Sequence, residues 1–156
     1  MGLVCQDNQV RGIELCKLDM SLVVGYAIHF SDKLLCQGGQ NITGTLPTEI
    51  ARLPFVQWIS LAWNALTGTL PVEYAGMKHL LNLEVHGNNL VGTIPSEYWS
   101  ANGLQQFNVG ENLMSGTLSS EVGLLTNLRG FFLLDNMFTG TFPTEIGNLA
   151  FLGAFC

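Results

Sequence analysis

Glu84 and His86 are the residues of this sequence whose types and spacing come nearest to acid–base chemistry. Side chains two positions apart in a strand point the same way, and a carboxylate beside an imidazole can move a proton near neutral pH. No nucleophile or third group is placed to complete a site, and the GxSxG, HExxH and P-loop phrases are missing from the sequence. The sequence therefore predicts that this chain is not an enzyme.

Four cysteines are the other reactive side chains: Cys5, Cys16, Cys36 and Cys156. They show no CxxC or Cys/His spacing, so neither a metal site nor a cofactor is predicted. Cys16 and Cys36 fall near the outward face of adjacent predicted strands, which makes them disulfide candidates. Unpaired thiols are the alternative.

The charge of the chain limits the kinds of binding partner that can be expected. The net charge is −6, and the six basic residues form no cluster. Neutralising phosphates requires such a cluster, so a nucleic-acid partner is not predicted. The longest apolar run, Leu22–Ile28, is far shorter than the ~20 residues of a membrane span, so this segment is not expected to insert into a membrane. No signal peptide is recognised at its start.

The elements that would position these residues follow a strict repeat. Each copy contains a phrase such as QNITGTLPTEI or NALTGTLPVEY. A glycine returns every 24 residues, at Gly44, Gly68, Gly92, Gly116 and Gly140. Units of this length cannot bury an apolar face alone and must stack on their neighbours. The sequence therefore predicts one solenoid domain, and solenoids generally provide extended binding surfaces.

Apolar residues precede each glycine phrase at spacing i, i+3 and i+5, as Val56, Ile59 and Leu61 do before Asn64. The pattern LxxLxLxxNxLxGxIP resembles the plant-type leucine-rich repeat family over residues 50–146. This resemblance implies an α/β solenoid, a curved right-handed superhelix with a concave parallel β-sheet and turns or short helices on its convex side. It also implies a ladder of stacked asparagines, namely Asn64, Asn88, Asn112 and Asn136, with Gln40 in the first, imperfect copy.

A proline and then a glutamate follow most of the glycines, and Ser119 is the one departure from proline. The glutamates are expected to start the convex turns, where a helical N-terminus favours negative charge. Five of the twelve acidic residues are thus assigned to the scaffold: Glu49, Glu73, Glu97, Glu121 and Glu145.

The resemblance places the recognition surface on the concave sheet, at strand positions that lie between core residues. Aromatic side chains at such positions are typical of interface hot spots. We predict a patch that binds a protein, peptide or glycan, formed by Trp58, Trp63, Glu84, His86, Glu111, Phe132 and Asp135. Two structural alternatives stay open: Trp58 covers the adjoining irregular turn, or Phe132 or Leu134 contacts further C-terminal repeats.

A threonine column supports a rival hypothesis. The outer members of each T-G-T phrase point the same way in an extended segment. Strands stacked at ~4.8 Å would then form a flat array, which resembles the surfaces of ice-binding solenoids. Its members are Thr43, Thr45, Thr67, Thr69, Thr93, Thr117, Thr139 and Thr141. The structural alternative is that threonine simply suits an extended backbone.

The two ends depart from the repeat. Residues 2–15 resemble the tail of the family's N-terminal cap, with Cys5 as the second cap cysteine, a strand at Ile13–Leu15 and a further strand that contains Leu35. We assign residues 1–39 to the cap remnant and irregular repeats, 40–151 to regular repeats, and 152–156 to the start of another. A piece of a longer protein is expected, with marginal stability or self-association at its open ends.

Asn41-Ile42-Thr43 is an N-glycosylation sequon. Together with the cap cysteine, it favours an extracellular or cell-surface location. The family resemblance further implies a membrane anchor or a kinase elsewhere in many full-length chains.

Overall fold

A computed structural model describes residues 41–156 and, before them, the backbone of three strands. The strands are β1 (Leu3–Gln6), β2 (Gln9–Ile13), β3 (Lys33–Leu35), β4 (Thr43–Thr45), β5 (Trp58–Ser60), β6 (Ala65–Thr67), β7 (Asn82–Glu84), β8 (Val91–Gly92), β9 (Gln106–Asn108), β10 (Leu113–Gly116), β11 (Gly130–Phe132), β12 (Met137–Phe138) and β13 (Ala154–Phe155). The 3-10 helices are η1 (Thr48–Arg52), η2 (Val72–Gly76), η3 (Ser96–Ser100), η4 (Ser120–Leu124) and η5 (Thr144–Asn148).

One parallel sheet runs the length of the solenoid. Among the described residues it has six strands in the order β13-β11-β9-β7-β5-β3. From β5 onward the strands pair at a strict offset of one repeat, so that Ile59, Leu83 and Phe107 are neighbours. The predicted curved α/β leucine-rich repeat solenoid is confirmed, and five-residue 3-10 helices form the predicted short convex helices.

The core is formed by rows of side chains that point inward from this sheet. Residues one strand position apart alternate across its faces, and Ile59, Leu83 and Phe107 are fully buried. So are Leu61, Val85 and Val109, which lie two residues farther along their repeats. The alternation predicted from the LxL pairs is therefore confirmed.

Aromatic rings connect the later repeats. Tyr98 stacks on Phe107 with ring centroids 5.4 Å apart, and Phe107 stacks on Phe131 at 5.9 Å. The Tyr98 hydroxyl donates to the carbonyl of Pro71 at 2.7 Å, and the Tyr74 hydroxyl donates to that of Pro47 at 2.9 Å. Burial raises the pKa of both phenols well above the ordinary value. Each tyrosine thus remains a neutral donor that joins its repeat to the preceding one.

The convex side begins each 3-10 helix in the predicted way. Glu49, Glu73, Glu97, Glu121 and Glu145 all lie in first turns. Proline occupies the N-cap in four of the five described helices and contributes no side-chain cap. Ser119 occupies it in η4 and accepts a hydrogen bond from the Glu121 N–H at 3.2 Å. The one departure from proline therefore supplies a cap instead of a fixed φ.

The asparagine ladder implied by the resemblance is present. Asn112 Oδ1 accepts from the Leu90 N–H at 3.0 Å, and its Nδ2 donates to the carbonyls of Val85, Val109 and Gly110. Asn64, Asn88 and Asn136 repeat this arrangement in their own repeats. The ladder satisfies backbone groups that the tight turn removes from water.

The glycine of each phrase allows two repeats to approach closely. Gly116 has φ +94°, and a Cβ there would lie 2.8 Å from Cγ2 of Thr93 in the preceding repeat. Thr45, Thr69 and Thr117 contact the following glycine in the same way. The second threonine of each phrase therefore packs into the next repeat.

The N-terminal part differs from the sequence prediction in register. β2 ends at Ile13 and pairs antiparallel with β1, where a strand at Ile13–Leu15 was expected to join the solenoid. Leu35 lies in β3 as predicted, but Leu34 is the residue that pairs with Ile59. Gln40, the Cys16–Cys36 candidate bridge and the side chain of Cys5 lie outside the described residues.

Candidate functional site

The concave face is built from the residues that alternate with the core along the parallel strands. Ser60, Glu84, Asn108 and Phe132 form one row across β5, β7, β9 and β11. A second row runs from Lys33 in β3 through Trp58, Asn82 and Gln106 to Gly130. Trp58, Glu84 and Phe132 are half-buried. Ser60, which strand alternation places on this face, is itself buried.

Trp63 is the largest accessible side chain of the predicted patch, with 50% of its surface exposed. Its indole lies over Gly87 of the next repeat, where a Cβ would come within 2.6 Å of the indole Cε3. The ring also meets His86 edge-on, with centroids 5.7 Å apart and planes at 82°. The glycine at position 87 thus provides the space that the indole occupies.

His86 and Glu84 do not form the acid–base pair that their spacing suggests. Nδ1 of His86 is buried and has no hydrogen-bond partner among the described residues. A carboxylate oxygen of Glu84 instead accepts a hydrogen bond from the Ser60 hydroxyl at 3.2 Å. The two side chains therefore share no hydrogen bond.

The residue before each ladder asparagine has a left-handed backbone, and the sequence did not reveal this. Its φ is +57° at Trp63, +66° at Gly87, +51° at Glu111 and +55° at Asp135. We call these four residues the left-handed column. Three of the predicted ligand-binding residues belong to it, although side chains other than glycine are disfavoured at such φ values. A weak sequence signal existed, because glycine holds this position in two copies, as Gly39 and Gly87.

Glu111 and Asp135 occupy this column in neighbouring repeats. The Asn88 N–H donates to the Glu111 carbonyl and the Asn112 N–H to the Asp135 carbonyl, both at 3.1 Å. Both side chains are exposed. Beside them, Leu134 is 58% exposed on the same surface. The patch therefore combines aromatic, aliphatic and acidic groups.

Replacing Glu111 by glycine is expected to raise the free energy of unfolding by about 0.5–1 kcal/mol, because relief of the left-handed backbone outweighs the added freedom of the unfolded chain. Chemical denaturation measures this. Glu97→Gly is the matched control, since Glu97 is an exposed helical residue. This control is expected to lower the free energy of unfolding by about 0.5–1 kcal/mol. If Glu111→Gly also lowered the free energy of unfolding, the Glu111 side chain would be stabilising the fold.

The threonine column lies apart from the concave sheet. All eight of its predicted members are exposed. The strands of this flank, however, pair with a stagger of two residues per repeat, so that Thr45 neighbours Thr67 and Ser115 neighbours Met137. Met137 and Leu113 project from the same flank with about half of their surface exposed. The predicted array is therefore staggered and interrupted where a flat one was expected.

The remaining candidate residues are accessible but separate. Asn41 and Thr43 of the sequon are both exposed. Cys156 is an exposed free thiol. Within the described part of the chain, no three metal-binding side chains come together. No helix found there has the length and apolar character that crossing a membrane requires.

Comparison with known proteins identifies the fold through structure alone. No protein-family model matches the chain, and no curated protein sequence matches it. The plant peptide hormone receptor RGFR1, solved with RGF2, superposes with a TM-score of 0.77 at 27% identity over 92% of this chain and 22% of that one. A second match is the leucine-rich repeat ectodomain of the Arabidopsis thaliana membrane receptor kinase GASSHO1/SCHENGEN3, solved with CASPARIAN STRIP INTEGRITY FACTOR 2. It superposes with a TM-score of 0.77 at 28% identity over 96% of this chain and 17% of that one.

A plant ice-binding protein also superposes, with a TM-score of 0.71 at 27% identity over 75% of this chain and 38% of that one. The chain spans about a fifth of the two receptor chains. It has the leucine-rich repeat fold that these proteins share.

Proposed function

We propose that this chain is a non-catalytic recognition module whose concave sheet binds a protein, peptide or glycan ligand. The observation that carries the proposal is the left-handed column, where Trp63, Glu111 and Asp135 are held in a backbone conformation that favours glycine. Residues kept in unfavourable conformations are concentrated at functional sites. Trp63, Phe132 and Leu134 add accessible apolar surface to the same face.

The cellular setting is part of the proposal. The sequence pattern of the repeats and the receptor ectodomains with the same fold support a plant-type leucine-rich repeat protein at the cell surface or outside the cell. An exposed Asn41 is consistent with N-glycosylation in that setting. Further domains of a longer chain, including a membrane anchor or a kinase, belong to the same hypothesis.

Selection from a displayed library of short random peptides, followed by binding measurements with the whole chain, tests the concave face. Trp63→Ala and Phe132→Ala are each expected to weaken the selected peptides about tenfold or more, because aromatic anchors dominate interface energies. Both variants should keep the circular dichroism spectrum of the original chain.

Phe55→Ala is the matched control, because Phe55 is 71% exposed and lies in the turn after η1, away from the sheet face. It should leave affinity unchanged. Loss of binding in Phe55→Ala with full binding in the two sheet variants would move the site off the concave face.

Ice binding is the second candidate function, favoured by the exposed threonine column and the ice-binding structural neighbour. If the column binds ice, Thr45→Tyr with Thr93→Tyr should abolish thermal hysteresis and leave peptide binding intact. Thr48→Tyr with Thr126→Tyr is the control, since both threonines are exposed outside the column. Thermal hysteresis that is absent from the original chain, or unaffected by the column variant, would reject this function.

A further inference from the structure

The acidic side chains of residues 41–156 are sorted between two faces of the solenoid. Eight are present, and five of them begin the convex 3-10 helices. The other three, Glu84, Glu111 and Asp135, all belong to the concave face. The scaffold thus accounts for every described acid except those on the proposed recognition surface.

These concave acids lack basic partners within residues 41–156. The carboxylates of Glu111 and Asp135 make no hydrogen bond or ion pair there, and Glu84 is bonded to a neutral serine. Of the basic residues there, Arg52 ends η1 and Lys78 follows η2, both on the convex side. The backbone of Lys33 lies in β3, at the opposite edge of the sheet from β11 and β13. Arg129 immediately precedes β11, at the opposite end of its strand from Asp135. The acidic end of the concave face therefore carries uncompensated negative charge.

An aromatic surface accompanies this charge. Trp63 leans over Gly87, and Glu111 and then Asp135 follow Gly87 in the next repeats of the left-handed column. An arginine side chain stacks on an indole through its planar cation and pairs with carboxylates through its fork of donors. The exposed Leu134 and half-buried Phe132 offer apolar contacts beside these groups.

We propose that the concave face recognises an extended peptide segment that carries arginine or lysine side chains next to apolar ones. This inference rests on the proposed recognition function and specifies the class of its ligand. The basic side chains lie against Trp63, Glu111 and Asp135, and the apolar side chains lie against Phe132 and Leu134. Charge complementarity of this kind accelerates association and discriminates between partners.

The test uses synthetic peptides of equal length and identical apolar residues, with arginine, glutamine or glutamate at alternate positions. Fluorescence anisotropy with the whole chain is expected to give an affinity for the arginine peptide about tenfold or more above that for the glutamine peptide, with no binding of the glutamate peptide. Glu111→Gln with Asp135→Asn should remove most of this preference. Added salt should weaken only the arginine peptide.

Glu97→Gln with Glu121→Gln is the matched control, because it removes the same charge from the convex side. It should leave the preference intact. An equal loss in both double variants would show nonspecific attraction to an acidic protein and would overturn the inference. Equal binding of the arginine and glutamine peptides, abolished by Phe132→Ala, would overturn it too, while the recognition function itself would stand.

Discussion

Replacing Phe107 by alanine is expected to lower the free energy of unfolding by about 3–5 kcal/mol. The ring is fully buried and lies between Tyr98 and Phe131, with centroids 5.4 Å and 5.9 Å away. Alanine would leave a cavity between two repeats whose backbones are fixed by the sheet, so the site has little freedom to collapse. Urea denaturation followed by circular dichroism measures the change.

The substitution is also expected to disturb the concave face, because Gln106 and Asn108 flank Phe107 in β9 and belong to that face. Phe107→Leu, which keeps much of the volume, should cost clearly less than alanine. Phe151→Ala is the control, since Phe151 is 64% exposed near the end of the chain. Equal losses for Phe107→Ala and Phe151→Ala would mean that the aromatic stack does not stabilise the solenoid.

The sequence predicted the core well because one period encodes both chain path and side-chain direction. Leu83, Phe107 and Phe131 recur at the same place in the repeat, and the first two alternate with polar neighbours, so their burial follows from strand geometry. The ladder asparagines were predicted equally well, because a polar residue that recurs within an apolar pattern must form hydrogen bonds with the backbone around it. Burial and hydrogen bonding confirm both.

The left-handed column could not be predicted from the sequence, because three of its four described members are not glycine. Two of these, Trp63 and Glu111, are residue types that rarely adopt a positive φ. Only Gly87 signals that conformation directly. The position of Trp63 over Gly87 depends on a contact between repeats, and such a contact appears in no single copy of the pattern. Candidate binding residues could thus be named from the sequence, whereas the conformation that distinguishes them could not.

The flank that carries the threonine column shows a second limit. A 24-residue spacing suggests that equivalent threonines stack directly, as equivalent residues do in the concave sheet. The second set of strands instead pairs Thr45 with Thr67 and Ser115 with Met137. Sequence period fixes the number of residues per turn, but the tilt of a strand decides which of them become neighbours.

Replacing Asn112 by alanine is expected to lower the free energy of unfolding by about 2–4 kcal/mol. The groups that it bonds would not suffer equally. The carbonyls of Val85 and Val109 also accept from Asn88 and Asn136, so each keeps one partner. The Leu90 N–H has Asn112 Oδ1 as its acceptor and would be buried without one. The predicted cost is therefore that of one orphaned donor and a small cavity.

Asn112→Asp separates the two halves of this side chain. It keeps an oxygen for the Leu90 N–H but turns a carboxylate toward the carbonyls of Val85, Val109 and Gly110. At neutral pH this variant should be less stable than Asn112→Ala, because a buried charge that faces acceptors is costly. Asn89→Ala is the control, since Asn89 is exposed and only its backbone N–H is bonded, to the Leu66 carbonyl. Chemical denaturation of the three variants would contradict the ladder argument if Asn112→Ala were no more destabilising than Asn89→Ala.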